Sequence, residues 1–304
     1  MEQRFVGCLL GLAVGDAVGT TVEFAQRGSF EPVTDMVGGG PFRLPAGAWT
    51  DDTSMALCLA ESLLACRGND PLDQMKRYVA WYRQGVNSSI GRCFDIGFTT
   101  RDALNEFERT GDPLAGPVRE YTAGNGSIMR LAPVVMAYAF DRHAAREHAA
   151  LSSRTTHGAK LAVDGCRLMA DLLHGLLQGK PKDEVLARGY YQGPALDDQV
   201  AALTLGGWQA KTGQQIRSTG FVVHSLEAAL WAFATTTDFA SGCLRAVNLG
   251  GDADTIAAIY GQFAGAHYGL EGIPSAWRDR VMQCDRLLEL GRGLFALHLE
   301  LERR

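Results

Sequence analysis

Two short acidic segments, each just ahead of an apolar periodic stretch, hold the residues best suited to chemistry. The first is Trp49-Thr50-Asp51-Asp52-Thr53-Ser54, and the second is Gly250-Gly251-Asp252-Ala253-Asp254-Thr255. One acid at a helix start is explained by capping, where it accepts unpaired backbone N–H groups and suits the helix dipole. Two acids at each of two starts exceed that need. Carboxylates brought together repel, and a bound cation neutralises them directly. Asp252 and Asp254 lie two apart, so a regular helix would point them to nearly opposite sides. A loop conformation turns both inward, and Gly250 with Gly251 permits it. The donor set is all oxygen: four carboxylates with the hydroxyls of Thr50 and Thr255, and no His or Cys. Such donors favour Mg²⁺, Mn²⁺ or Ca²⁺ over Zn²⁺. A calcium EF-hand starting at Asp252 fails, because Ile256, Ala257 and Phe263 fall where oxygen ligands and the turn glycine belong. Residue chemistry alone leaves capping and metal binding both open.

A third acidic element is Asp16 and Glu23, which interrupt an apolar stretch where unpaired acids are costly. An ion pair within the fold accounts for either. Glu23, at the end of the run, is also placed to supply another oxygen ligand.

Helices must position these groups. Met55, Leu59, Ser62, Leu63 and Cys66 share one helical face, as do Leu226, Ala229, Leu230 and Phe233. Leu161, Leu168, Leu172, Leu176 and Leu177 recur at three to four residues, and so do Val281, Leu287, Leu288 and Leu290. Pro274 and Ser275 mark a further helix start after Gly272. Strand-like alternation is scarce and no βαβ rhythm appears. Glycines inside helical patterns (Gly165, Gly175, Gly261, Gly265) each cost up to about 1 kcal/mol against Ala, which predicts close helix–helix approach. Gly11, Gly15 and Gly19 form such a face at the N-terminus. The Gly/Pro-rich stretches 38–47, 111–126 and 212–220 are the loops. No linker or repeat divides the chain, so residues 1–304 are expected to form one compact all-α domain.

The net charge of −5 and the absence of a Lys/Arg block argue against binding nucleic acid or anionic membrane by charge. Seven scattered cysteines with no CxxC pair read as reduced, mostly buried thiols. Residues 5–15 are apolar but too few to span a bilayer, and Glu2 spoils a basic leader. A buried helix in a cytoplasmic protein is expected.

Taken in order along the chain, several blocks resemble those of the ADP-ribosylglycohydrolases, above all the bacterial dinitrogenase reductase-activating branch. They are Gly11-Leu-Ala-Val-Gly-Asp-Ala-Val-Gly-x-x-Val-Glu-Phe24, Met36-Val-Gly-Gly-Gly40 and Gly47-x-x-Thr-Asp-Asp-Thr53. Asp95-Ile-Gly97, Ala123-Gly-Asn-Gly126, Thr156-His157 and Asn248-x-Gly-Gly-Asp-Ala-Asp-Thr255 follow. The resemblance implies an orthogonal multi-helix fold around a central two-metal site. Thr50, Asp51, Asp52, Asp252, Asp254 and Thr255 would be the ligands, Mg²⁺ or Mn²⁺ the ions, and Glu23 would lie beside them. It implies cleavage of the bond between the distal ribose and a modified protein side chain, releasing ADP-ribose.

Asp95 matches a candidate general acid/base of the nitrogenase-linked relatives; capping of the helix from Thr99 is the competing role. Gly124, Asn125, Gly126 and Ser127 precede an apolar run, so their N–H groups would cradle the diphosphate, unless they form a plain glycine turn. His157 is implied near the pyrophosphate or ribose, and is otherwise a core histidine. Phe221 matches an adenine-stacking aromatic, with core packing as the alternative. Glu120 matches an acid of that branch and would face a guanidinium leaving group. Phe98 departs from the pattern, standing where the relatives carry Asn. An arginine N-glycosidic linkage is the favoured substrate, in a regulatory or toxin-immunity role, acting as a monomer. Serine-linked or polymeric ADP-ribose, O-acetyl-ADP-ribose, a non-catalytic ADP-ribose-binding protein and a two-metal phosphohydrolase are the competing readings.

Overall fold

In a computed structural model that describes residues 1–304, the helical periods become fourteen α-helices and no β-strand. The first half holds α1 (Glu2–Gly19), α2 (Asp51–Cys66), α3 (Pro71–Gln84), α4 (Phe98–Thr110), α5 (Ala132–Ala137), α6 (Arg142–Thr156) and α7 (Lys160–Leu177). The second holds α8 (Lys182–Val185), α9 (Asp198–Leu203), α10 (Val222–Ala234), α11 (Phe239–Val247), α12 (Ala253–Tyr268), α13 (Ser275–Arg280) and α14 (Cys284–Glu302).

Both α1 and α12 are buried along almost their whole length, as expected of helices that are apolar all round. They run antiparallel with their backbones in contact. A Cβ built on Gly7 would lie 2.5 Å from the Gly265 carbonyl oxygen, and one on Gly11, Gly15, Gly261 or Gly265 would overlap the facing backbone still more. The glycine face anticipated on α1 therefore meets its counterpart on α12. The α1 segment is long and apolar enough to cross a membrane, yet 94% of it is buried in the protein. It is the central core helix.

One apolar cluster of 76 buried residues runs from Phe5 to Leu297 and takes in α1, α7, α10 and α12. A smaller cluster joins Met55 and Cys58 of α2, Tyr78 and Trp81 of α3, Leu104 and Phe107 of α4, and Met129. That second cluster holds α4 against α2 and α3, and Cys93 and Ile96 packed on it hold the Asp95 loop.

Some expectations shift. No α-helix follows Ser127 directly: turns continue to Leu131, and α5 starts at Ala132 with Pro133 in its first turn, where a missing N–H costs nothing. Cys66, expected on the apolar face of α2, is exposed at its last residue, whereas Cys8, Cys58, Cys166 and Cys243 are buried and none is bridged. Val281 packs from the turn ahead of α14.

Candidate metal centre and active site

Asp16 explains how the two acidic segments meet. Buried in α1, its carboxylate accepts from the Thr50 N–H (2.9 Å) and hydroxyl (2.9 Å), and from the Thr53 N–H (3.0 Å) and hydroxyl (2.6 Å). No cation pairs with it; four neutral donors replace the ion pair its burial suggested. Asp16 thereby caps α2 from another helix. Neither Thr50 nor Asp252, the residues at the N-caps of α2 and α12, makes a side-chain cap bond. Capping thus does not occupy Asp51, Asp52, Asp252 or Asp254, and their carboxylates are left for something else.

The α1–α12 contact brings the second segment in. Gly19 rests on the backbone of Asp254, whose Cα would lie 2.5 Å from a Cβ there. Gly250 and Gly251 take φ of +64° and +62°, and this turn lets Asp252 and Asp254 face one cavity. Ser218 clamps the turn, donating to the Gly250 carbonyl and accepting from the Asp252 N–H at 3.2 Å. Asn125 Nδ2 lies 2.5 Å from Asp252 Oδ2 and 2.9 Å from Ser225 Oγ.

Acceptors outnumber protons here. The single Thr50 hydroxyl proton faces Asp16 (2.9 Å), Asp52 (3.1 Å) and Asp254 (3.3 Å), and the Thr255 hydroxyl lies 3.4 Å from Asp52. Glu23 Oε2, Asp52 Oδ1 and Asp254 Oδ1 are buried with no partner. One oxygen each from Glu23, Asp95 and Asp254 fall within 4.8 Å of one another. Asp95 reaches in from a left-handed backbone conformation, φ +58°, which Asp tolerates better than most residues. Burial above all pushes these acids toward their neutral forms, and repulsion between neighbouring carboxylates adds to it at all of them but Asp252. Asp252 rises to about 6, Asp95 to about 7 and Glu23 to about 10, while Asp51, Asp52 and Asp254 rise well above the ordinary carboxylate range. Hard oxygen donors, orphaned buried oxygens and crowded negative charge together fit a hard divalent cation.

These acids floor a cavity of about 670 Å³. Its other wall suits an anion. Gly97, Phe98, Thr99 and Thr100 line it at the start of α4, whose N-terminus has no side-chain cap, so free N–H groups and the positive end of the dipole face the space. Opposite, the amides of Gly126 and Ser127 donate to no protein group. His157 lies under this loop. Burial first, then the neighbouring Arg130 charge, lowers it to about 3, so it is neutral. A Cβ on Gly126 would come 2.6 Å from its ring, so glycine is what lets loop and imidazole touch.

Of the residues singled out in the sequence, Glu23, Asp51, Asp95, Asp252, Asp254, Thr255, Gly124, Asn125, Gly126 and His157 line the cavity. Thr50 and Asp52 stand just behind its floor. Ser127 turns its hydroxyl away, accepting from Ser153 and Cys166. Phe221 sits outside the lining; its backbone pairs with Gly124 and its ring meets His224 edge-on at 4.9 Å. Glu120 is exposed on a 3-10 turn, away from the lining. Phe98, 78% exposed, stands at the mouth with the Arg101 guanidinium 4.9 Å over its ring. Thr53, Ser218 and Asn125 as holders of the acids were not anticipated; only the Thr on each side of the Asp51-Asp52 pair hinted at the first.

The family model described as ADP-ribosylglycohydrolase matches residues 1–303. The chain is 47% identical to the ADP-ribosylarginine hydrolase Tri1 of Pseudomonas putida, over 96% of this chain and 78% of that one. It is 32% identical to the ADP-ribosyl-[dinitrogen reductase] glycohydrolase of Rhodospirillum rubrum, over 98% of this chain and 96% of the other. A solved structure titled as an ADP-ribosylglycohydrolase-related protein complex superposes with a TM-score of 0.87 at 45% identity, covering 98% of each chain. An acidic floor built on two helix starts, on a helical frame shared with these relatives across nearly its whole length, places this chain in the ADP-ribosylglycohydrolase family.

Proposed function

We propose that this protein is a hydrolase that removes ADP-ribose from modified arginine side chains, with two divalent cations, Mg²⁺ or Mn²⁺. The observation that carries this reading is the shape of the cavity: a carboxylate floor no helix needs for capping, facing a wall of free N–H donors. An acidic floor for hard cations and an N–H wall for phosphate match the distal ribose and the adjoining diphosphate of an ADP-ribosyl group. The names of its relatives favour arginine as the other partner.

Thr50, Asp51, Asp52, Asp252, Asp254 and Thr255 would hold the ions, with Glu23 beside them. When bound there, such ions would supply Lewis-acid polarisation for ribose hydroxyls and water. Asp95 has its carboxylate next to Glu23 and Asp254. With a value near neutrality it is suited to move a proton at the reacting centre, or to stabilise an oxocarbenium-like transition state. Asn125 holds Asp252 in place by its amide. Gly126 and Ser127 supply amides, and His157 an imidazole N–H, toward the diphosphate. Phe98 offers a flat apolar face to the leaving guanidine, as it already does to Arg101. The unbridged cysteines favour a reducing, cytoplasmic setting, and a monomer suffices for the site.

The test is release of ADP-ribose from an arginine-ADP-ribosylated protein with Mg²⁺ or Mn²⁺ and with chelator. Metal-dependent release that Asp252→Ala and Asp95→Ala both suppress supports the reading. ADP-ribose bound but never released, with serine-linked and polymeric substrates equally untouched, would leave a binding protein instead. AMP with ribose 5-phosphate as products would mean attack at phosphorus.

A further inference from the structure

Arg130 is 1% exposed, yet all its partners are neutral. One guanidinium nitrogen donates to the Gly126 carbonyl at 2.8 Å and lies 3.8 Å from the Met55 sulfur. The other reaches the hydroxyls of Thr156 (2.7 Å) and Thr155 (3.3 Å), and the Tyr78 ring lies 4.6 Å beneath the group. Its Nε has no partner. Burying a cation without a counter-ion is costly. The C-terminal end of α6 and the Tyr78 π face offset part of that, but no carboxylate does.

The cavity supplies the reason. No Lys or Arg lines it, although a diphosphate would have to sit beside a floor of carboxylates. Arg130 is the charge directly behind the wall that would receive it, bonded to Gly126 of the cradle. It also sets His157. The Thr156 hydroxyl accepts from Arg130, which frees its proton for His157 Nδ1 at 2.9 Å. The imidazole then carries its own N–H on Nε2, on the side of Gly124 and Gly126.

We infer that Arg130 is a positioning residue for the diphosphate of ADP-ribose: it supplies the buried positive charge behind the Gly124–Ser127 loop and, through Thr156, fixes His157 as an Nε2–H donor toward the cavity. This rests on the ADP-ribose reading of the cavity above. A purely architectural Arg130 would instead tie α6 to the loop and nothing more.

Calorimetric titration of the Mn²⁺-loaded enzyme with ADP-ribose and with uncharged adenosine separates these, beside a Mn²⁺ titration and a melting curve. In Arg130→Met, ADP-ribose affinity should fall about 10–100-fold, the scale of one lost unit charge screened by protein. Adenosine and Mn²⁺ binding should hold, and Arg130→Lys should restore most of the loss. Thr156→Val, nearly isosteric, should keep the fold, weaken ADP-ribose several-fold and move the His157 ¹⁵N shifts toward the other tautomer. If Arg130→Met does not fold, Arg130→Lys and Thr156→Val decide by the same readouts. Wild-type ADP-ribose affinity in folded Arg130→Met or in Thr156→Val overturns the inference. So does a loss of adenosine and Mn²⁺ binding in step with ADP-ribose. Wild-type enzyme that binds no ADP-ribose would fail the parent reading instead.

Discussion

In EDTA, with no divalent cation available to the acidic cluster, this fold's stability should fall as pH rises. Burial lifts Asp252 to about 6 and Asp95 to about 7, against an ordinary Asp value of about 4. A raised carboxyl pKa means the fold grips that proton more tightly than the unfolded chain does. The metal-free protein therefore has its full stability below about pH 4 and loses it as pH climbs through the folded values. Asp252, partly buried at the cavity floor, moves by about two units, worth at most about 3 kcal/mol, and Asp95 acts in the same direction. In a chain of this size that is a drop of about 6 °C in Tm. With Mn²⁺ the trend reverses, because the deprotonated carboxylates are the ligands and binding strengthens as protons leave. Thermal melts at about pH 4.5 and about pH 7.5, each with EDTA and with saturating Mn²⁺, span the loss and read both signs. The metal-induced rise in Tm should be several degrees larger at the higher pH. An EDTA-treated protein that melts at one temperature across this range, with Mn²⁺ shifting neither melt, would refute the argument that these acids are a strained cation site.

Replacing Asp95 with Asn should lower kcat about 10²–10⁴-fold while ADP-ribose binding and Tm persist; retained turnover would remove Asp95 from the chemistry. Asn125→Ala deprives Asp252 of its amide donor and should weaken Mn²⁺ about 10–100-fold by titration, with helicity by circular dichroism unchanged. Gly11→Val drives a branched side chain into the Gly261 carbonyl and should cost about 3 kcal/mol or more in urea unfolding. Wild-type stability in that variant would mean α1 and α12 are not in backbone contact.

The carboxylates and the helices that carry them were legible because both signals are local. Asp51-Asp52 and Asp252-x-Asp254 sit at helix starts, and Gly250 with Gly251 announces the turn that gathers the second pair. The glycine rows of α1 and α12 were legible as faces, though not as each other's partner, since pairing across the length of the chain leaves no mark on spacing. What local pattern misses is how one side chain holds another. Asp16 read as an acid in want of a cation, and four neutral donors from Thr50 and Thr53 satisfy it. Asn125 read as a nucleotide contact and is bonded to Asp252. Ser127 turns its hydroxyl away because the loop continues as turns up to Leu131 and does not enter a helix at once, and Phe221, at the start of α10, packs against His224 outside the cavity. Arg130 did carry a signal, a lone charge between Met129 and Leu131, but a single cation in an apolar run has many structural uses.

The glycine-to-glycine seam between α1 and α12 also sets a timetable. α1 is synthesised well before α12, with more than 200 residues between Gly19 and Ala253. At about 5–20 residues per second, α1 waits roughly 10–50 s for the surface that covers it. Contacts this distant in sequence slow folding in general, and here the waiting segment is an apolar helix with nothing to pack against. The nascent protein thus exposes a long apolar helix, a target for aggregation and for chaperones, until α12 emerges. The same seam delivers Asp254 to the acids of α2, so the candidate cation site assembles only after α12 has been made. A chain stopped short of α12 would leave the ribosome both sticky and inert.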